Sequence, residues 1–159
     1  MQYPIRRVVT GHDQKGKAIV LIDEISTNTL SRRPGQTGCV VWTTQGFPVD
    51  NDGHDDEALR PVATGLPNGT VCRINKFDPG VSPRMHRTDT VDYAIVMSGE
   101  IDMEMDDGVI VHIKAGDVLV QRGTVHNWIN RGVEPCIIAF ILIDAKPVEV
   151  NGERLAAVG

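Results

Sequence analysis

A cluster of polar side chains stands directly before an apolar run near the middle of the chain, in the stretch PRMHRTDTVDYAIVMSGE. It contains His86, Thr88, Asp89 and Asp92, whose side chains bind protons, metal ions or water. A strand that enters a protein core normally begins with turn residues rather than with such a cluster. These residues are therefore candidates for one wall of a ligand-binding site.

The elements that must position this cluster belong to a small, mildly acidic protein. The chain has 159 residues, with 16 basic and 21 acidic side chains and a net charge of -5. One domain of this length buries roughly 68–70% of its unfolded surface without disulfides or metals. No cluster of Lys and Arg along the sequence provides the phosphate-neutralising patch that nucleic acids require. We therefore expect one domain and no nucleic-acid partner.

The cysteines and the apolar runs indicate the compartment. Cys39, Cys72 and Cys136 are odd in number and far apart, which favours free, buried thiols in a reducing environment. No apolar run approaches the length of a membrane span, about 18 residues. The longest run, Ile137–Ile143, has the length of a strand. The sequence thus predicts a cytoplasmic protein with no membrane partner.

Short runs rich in Val and Ile recur along the chain, each bounded by Gly, Pro, Asn or Asp. Between Gly69 and Ile143 their spacing is regular, and no segment has the apolar period of a helix. An antiparallel β-sandwich or barrel is predicted, with a hairpin turn at Asp106-Asp107-Gly108. Residues 44–68 interrupt this rhythm with three prolines and an acidic run, which indicates a long arm in which DDEALR forms one helical turn.

Two sets of residues, with spacings G-x5-H and G-x2-H-x3-N, carry a resemblance to a known family. They are Gly80, His86 and Gly99, followed by Gly116, Gly123, His126 and Asn130. On these residues the span from Gly69 to Ile143 resembles the cupin superfamily, whose fold is a jelly roll. The resemblance implies an all-β protein built on a double-stranded β-helix, with an N-terminal β-strand extension.

The same resemblance implies a metal site with a reduced ligand set. Thr88 stands where the family has a second His, and Asp92 stands where it has Glu. His86, His126 and Asp92 remain as the implied metal ligands. Two imidazoles and one carboxylate hold Fe(II) with open positions, and they also suit Zn(II), Mn(II) or Ni(II). The implied cofactor is one divalent transition metal, either Fe, Mn, Ni or Zn.

Three of these assignments have alternatives. Asp89 on the preceding turn rivals Asp92 as the carboxylate ligand, because Asp is also common where turns lead into strands. Thr88 is either structural or holds water in the substrate pocket. Trp128 shares strand parity with His126, so it either lines the pocket or fills the core.

For function, the resemblance implies a metal-dependent enzyme for small molecules. The reactions in question are decarboxylation, dioxygenation, isomerisation and lyase chemistry on a small organic acid, a sugar, or an aromatic or polyketide compound. A metal would polarise a carbonyl or activate O2 or water. The few cationic neighbours expected near the histidines favour chelation of an oxo-acid or enol over phosphate binding. The alternative function is a non-catalytic cupin module that binds a small ligand.

By pattern the chain divides into three parts. Residues 1–68 form N-terminal strands and an arm, residues 69–145 form the cupin barrel, and residues 146–159 form a C-terminal tail. In the family that the chain resembles, such N-terminal strands often pack across a two-fold axis onto a partner's sheet. The resemblance therefore implies a homodimer.

Overall fold

The computed structural model describes residues 4–159, and most of this part of the chain is β-structure. In chain order the strands are β1 (Arg6–His12), β2 (Ala18–Ile25), β3 (Thr29–Arg33), β4 (Gln36–Gln45), β5 (Gly69–Phe77), β6 (Thr90–Ser98), β7 (Glu100–Glu104), β8 (Ile110–Lys114), β9 (Val118–Arg122), β10 (Asn127–Ile129), β11 (Cys136–Asp144), β12 (Val148–Val150) and β13 (Glu153–Leu155). Single turns of 3-10 helix occur at Glu57–Leu59 and Asp106–Gly108. No helix within residues 4–159 is long and apolar enough to cross a membrane.

Two antiparallel sheets form the barrel. The larger has six strands in the order β3-β4-β5-β11-β6-β9, and the smaller has three in the order β10-β7-β8. This arrangement confirms the predicted double-stranded β-helix. The sequence does not predict β3, because its residues TLSRR lack an apolar alternation. The hairpins β1-β2 and β12-β13 form separate two-stranded sheets.

Alternation along the strands places the core between the two sheets. In β6 the side chains of Ala94 and Val96 are buried, whereas those of Tyr93 and Ile95, which alternate with them, are exposed. Ile138 of β11 is completely buried in the same core. Successive strand residues point to opposite faces, so each strand of the barrel contributes every second side chain to the interior.

The connections confirm the predicted turn chemistry. Asp106–Gly108 joins the antiparallel strands β7 and β8, as a hairpin turn should. The arm contains its one helical turn at Glu57–Leu59, and a salt bridge between the buried Arg7 of β1 and Asp56 holds the start of that turn. Asn130 ties the loop before β11 in place, because its side-chain amide donates to the carbonyls of Phe77 and Glu134 at 2.9 Å each.

The cysteines are free thiols, as predicted. Cys39 and Cys136 are buried, and Cys72 is partly buried. Burial raises the pKa of the Cys136 thiol to about 11 and also raises the pKa of Cys72. Both groups are therefore protonated at neutral pH and poor nucleophiles.

Candidate functional site

A cavity of about 300 Å³ lies inside the barrel, and both predicted histidines line it. Its apolar wall consists of Phe77, Trp128 and Phe140, whose ring centroids lie 5.6–6.3 Å apart, together with Leu142. This volume is at the lower end of the range of small-molecule sites, roughly 300–1,000 Å³. The cavity therefore fits a small organic molecule.

The backbone brings His86 and His126 together. Each residue donates its amide to the carbonyl of the other at 2.9 Å, which makes an isolated antiparallel bridge between the segments before β6 and β10. Residues paired in this way project their side chains from the same face. The two ring centroids lie 4.2 Å apart, and both side chains are almost fully buried.

Hydrogen bonds orient both imidazoles in the same way. The Nδ1 atom of His86 lies 3.0 Å from the carbonyl oxygen of Arg84, and the Nδ1 atom of His126 lies 3.0 Å from that of Thr124. A carbonyl only accepts hydrogen bonds, so each Nδ1 carries the proton and each neutral ring keeps a lone pair on Nε2. Within residues 4–159 neither Nε2 has a hydrogen-bond partner. Both Nε2 atoms are therefore free for a ligand.

Burial keeps these rings neutral. It lowers the pKa of His126 to about 4, and the neighbouring His86 and two guanidinium groups reinforce the effect. It also lowers the pKa of His86, against the opposing effect of the hydrogen bond to Arg84. Neutral imidazoles with an anchored Nδ1–H are the form in which histidine binds metals or accepts a proton.

The third ligand of the expected metal site is the carboxylate of Asp92. Asp92 lies on β6 and lines the cavity, but in the described chain no three His, Cys, Asp or Glu side chains form a group that could hold a metal. Its rival Asp89 is not among the lining residues. The donor set thus fits a metal only in part, with two imidazoles. The three-residue ligand set stays a prediction.

Asp92 is nevertheless an unusual group. It is 5% exposed, and its Oδ1 atom has no hydrogen-bond partner among the described residues. Burial raises the pKa of this carboxyl, while a hydrogen bond from Thr90 and the charge of Arg73 oppose the shift. Buried polar atoms are almost always satisfied, so this oxygen calls for a ligand or a water molecule.

The two predicted pocket residues line the cavity. Thr88 shares a hydrogen bond of 2.8 Å with the hydroxyl of Thr90, which supports a structural role. Trp128 is 3% exposed and packs edge-on against His126 with ring centroids 5.6 Å apart. Trp128 therefore lines the cavity and also fills the core, so both interpretations of this residue hold.

The expectation of few cationic neighbours is wrong. Four arginines line the cavity: Arg32, Arg33, Arg73 and Arg84. They lie on β3, on β5 and in the segment before His86, so the sequence contains no run of basic residues that would predict the cluster. One signal was available, since Arg73 shares strand parity with the buried Val71 and Phe77 of β5 and so had to point inward.

The fold and the sequence both define a family. A family model described as a cupin domain matches residues 74–143. Among solved structures, an RmlC-like cupin from Shewanella frigidimarina superposes with a TM-score of 0.50 at 17% identity, covering 76% of this chain and 86% of that one. The chain belongs to the cupin superfamily.

Two similar proteins come from species of Aspergillus. The chain is 35% identical over 157 residues to the cupin-domain-containing oxidoreductase fogC of Aspergillus ruber, covering 94% of this chain and 77% of that protein. It is 45% identical over 123 residues to the oryzines biosynthesis cluster protein J of Aspergillus oryzae, covering 73% of this chain and 69% of that protein. Relatives of this chain are thus cupin oxidoreductases and proteins of biosynthesis clusters.

Proposed function

We propose that this protein is a biosynthetic enzyme that transforms a small organic molecule inside the barrel cavity, with His86 and His126 at the reacting end. The observation that carries the proposal is the pair of buried, neutral imidazoles with free Nε2 atoms at a cavity of about 300 Å³. A purely structural pair would be expected to satisfy both ring nitrogens within the protein.

Within the reactions that the cupin fold accommodates, an oxidative one has the best support. The name of the Aspergillus ruber relative describes an oxidoreductase. Of the reactions implied by the sequence, dioxygenation is the one that this description covers. We therefore propose that the substrate is a compound made by a biosynthetic pathway and that the reaction is an oxidation.

A divalent transition metal is part of this proposal. His86 and His126 would hold it through Nε2, and the metal would supply the activation of O2 or the polarisation of a carbonyl. The chain itself contributes the rest: the carbonyls of Arg84 and Thr124 fix the ring tautomers, and the aromatic wall offers the substrate an apolar surface. Asp92 remains the candidate for a third ligand.

Metal content tests the proposal directly. Purified protein is reconstituted with Fe(II), Mn(II), Ni(II) or Zn(II) under inert gas and desalted, and its metal is measured by elemental analysis. We expect about one metal per chain and its loss in His86→Ala and His126→Ala, because the remaining ligands would be too few. Asp92→Asn should weaken binding less, and Asp89→Asn hardly at all. His112→Ala, which removes an exposed histidine outside the cavity, is the control.

A second function has one observation in its favour. Because the described residues assemble no three-ligand group, the protein could act as a cupin module that binds a small ligand without catalysis. Full stability and no metal after reconstitution with all four ions would support this module and contradict the enzyme. Metal retained by both histidine variants would place the metal elsewhere.

A further inference from the structure

The cavity is lined by four arginines and by one carboxylate, that of Asp92, which balances their charge only in part. Within residues 4–159, Arg32, Arg33 and Arg73 form no salt bridge with a carboxylate, and Arg84 donates a hydrogen bond to the main-chain oxygen of Gly159. The chain carries a net charge of -5, so acidic side chains are in excess elsewhere. Arg32 is exposed and the other three are partly buried, so the cluster is open to a ligand that supplies the opposite charge.

Two of these guanidinium groups are fixed by the backbone. Arg32 donates from Nη2 to the carbonyls of Val62 and Ala63 at 3.0 and 2.9 Å. Arg73 donates from Nη2 to the carbonyls of Ala63 and Thr64. Burial lowers the pKa of Arg73 to about 10, so the group is still charged at neutral pH. The arm thus holds a preorganised cationic wall.

The wall has donors without acceptors. The Nε atoms of Arg33 and Arg73 are buried and have no hydrogen-bond partner among the described residues. Both side chains line the cavity. A carboxylate accepts hydrogen bonds from such guanidinium donors with strong, charge-assisted geometry.

The same cavity has acceptors without donors. The Oδ1 atoms of Asn75 and Asp92 are buried and have no partner within residues 4–159. Both oxygens are shielded from solvent, and a ligand that reaches them would do so by donating from a hydroxyl or a similar group. The carboxylate of Asp92 would also repel a dianionic phosphate more strongly than a monoanionic acid.

We propose that the cavity binds a small hydroxy carboxylic acid, with its carboxylate toward Arg33 and Arg73 and its hydroxyl toward Asn75 and Asp92. This substrate class rests on the proposed function, because the rest of the bound molecule would lie next to the imidazoles of His86 and His126. It replaces the sequence-based expectation of a site with few cations, on which the preference for an oxo-acid or enol over a phosphate rested.

Glycolate, the smallest hydroxy acid, is the probe. The Arg Nε–H signals of 15N-labelled protein are followed as glycolate is added, against sodium chloride at matched ionic strength. We expect saturable shifts of two Nε–H signals, weaker binding of acetate, which lacks the hydroxyl, and none of glycolamide, which lacks the charge. Because glycolate is too small to be excluded from the cavity, the absence of saturable shifts would overturn the proposal. Tighter binding of inorganic phosphate would overturn the assignment to a carboxylic acid.

Variants locate the binding. Arg73→Gln should weaken glycolate about 10- to 100-fold, because it removes charge-assisted hydrogen bonds. Arg73→Lys keeps the charge and should bind with intermediate affinity. Arg122→Gln removes an exposed charge outside the cavity and should bind as the original protein does. Equal affinity of Arg73→Gln and Arg122→Gln would contradict the assigned position.

The test separates this inference from the proposed function. Glycolate binding that depends on Arg73, in a protein that takes up no metal, would uphold the ligand class and favour the binding module. Uptake of metal at the histidine pair without saturable glycolate binding would uphold the metal site and refute the hydroxy acid.

Discussion

At the scale of single residues, burial keeps His126 and His86 neutral, and this makes the stability of the fold depend on pH. The pKa of His126 falls to about 4, mainly through burial. In the unfolded chain the same ring titrates near its ordinary pKa, about 6.5. Between these values the unfolded chain binds a proton that the folded chain does not. The free energy of unfolding should therefore fall as pH drops from about 6.5 to about 4.

We predict that this contribution is lost in His126→Gln. The gap between the two pKa values corresponds to at most about 3 kcal/mol. Urea unfolding of both proteins across this pH window, with chelator to remove metal, should show a steeper loss of stability in the original protein. Asp92, whose pKa is raised, acts with the opposite sign, but it is present in both proteins and cancels. Parallel pH dependences would contradict the lowered pKa of His126.

At the scale of elements, the turn between β6 and β7 decides how the chain passes from one sheet to the other. Gly99 in this turn has φ +74°, a conformation that side chains disfavour. A Cβ atom there would lie 2.6 Å from the carbonyl oxygen of Pro135 and 3.0 Å from the Cα of Cys136. The close approach of β11 therefore requires glycine at this position.

We predict that Gly99→Ala destabilises the protein by about 2–4 kcal/mol, since backbone strain and a clash with backbone atoms act together. Gly108→Ala is a matched control, because Gly108 has φ +71° and no atom within 4 Å of the added Cβ. It should cost only about 1–2 kcal/mol of left-handed strain. Urea denaturation measures both values. Equal losses would show that the contact with Pro135 and Cys136 relaxes freely.

At the scale of the whole molecule, association remains a prediction. The β1-β2 hairpin pairs with no other strand among residues 4–159, and Val8, Val20 and Ile25 on it are each about half exposed. Register places Val8, Val20 and Ile25 on one face of the hairpin, where their cross-strand partners are Asp23, Thr10 and Arg6, respectively. The family resemblance implies that these strands pack onto the sheet of a partner subunit. A partly apolar, unpaired face suits such a two-fold contact.

We predict a homodimer that Val20→Lys weakens, because a charge would enter the apolar part of the contact. Light scattering coupled to size-exclusion chromatography at micromolar concentration measures the mass. Val133→Lys is the control, since Val133 is 89% exposed in a loop outside the hairpin. A monomeric mass for the unmodified protein would contradict the dimer, and dissociation by both variants would remove the hairpin as its location.

The barrel follows from the sequence alone, because its signals are local. The short apolar runs of β5, β6 and β11 and the turn at Asp106–Gly108 each lie within a few consecutive residues. The motif spacing that places His86 and His126 is likewise written along the chain. Period-two patterning and turn chemistry need no knowledge of distant partners. For this reason the fold and the histidine pair are predictable.

The contents of the cavity were decided by the tertiary structure. Arg32 of β3 and Arg73 of β5 come close only because β3, β4, β5 and the arm pack side by side, and residues 62–64 then fix both side chains through backbone carbonyls. Asp92 shares the cavity with the histidines but not a ligand group with them. Charge clusters and coordination distances arise from contacts between residues far apart in sequence. Local patterning encodes which face a side chain takes, and the packing of strands determines what it meets there.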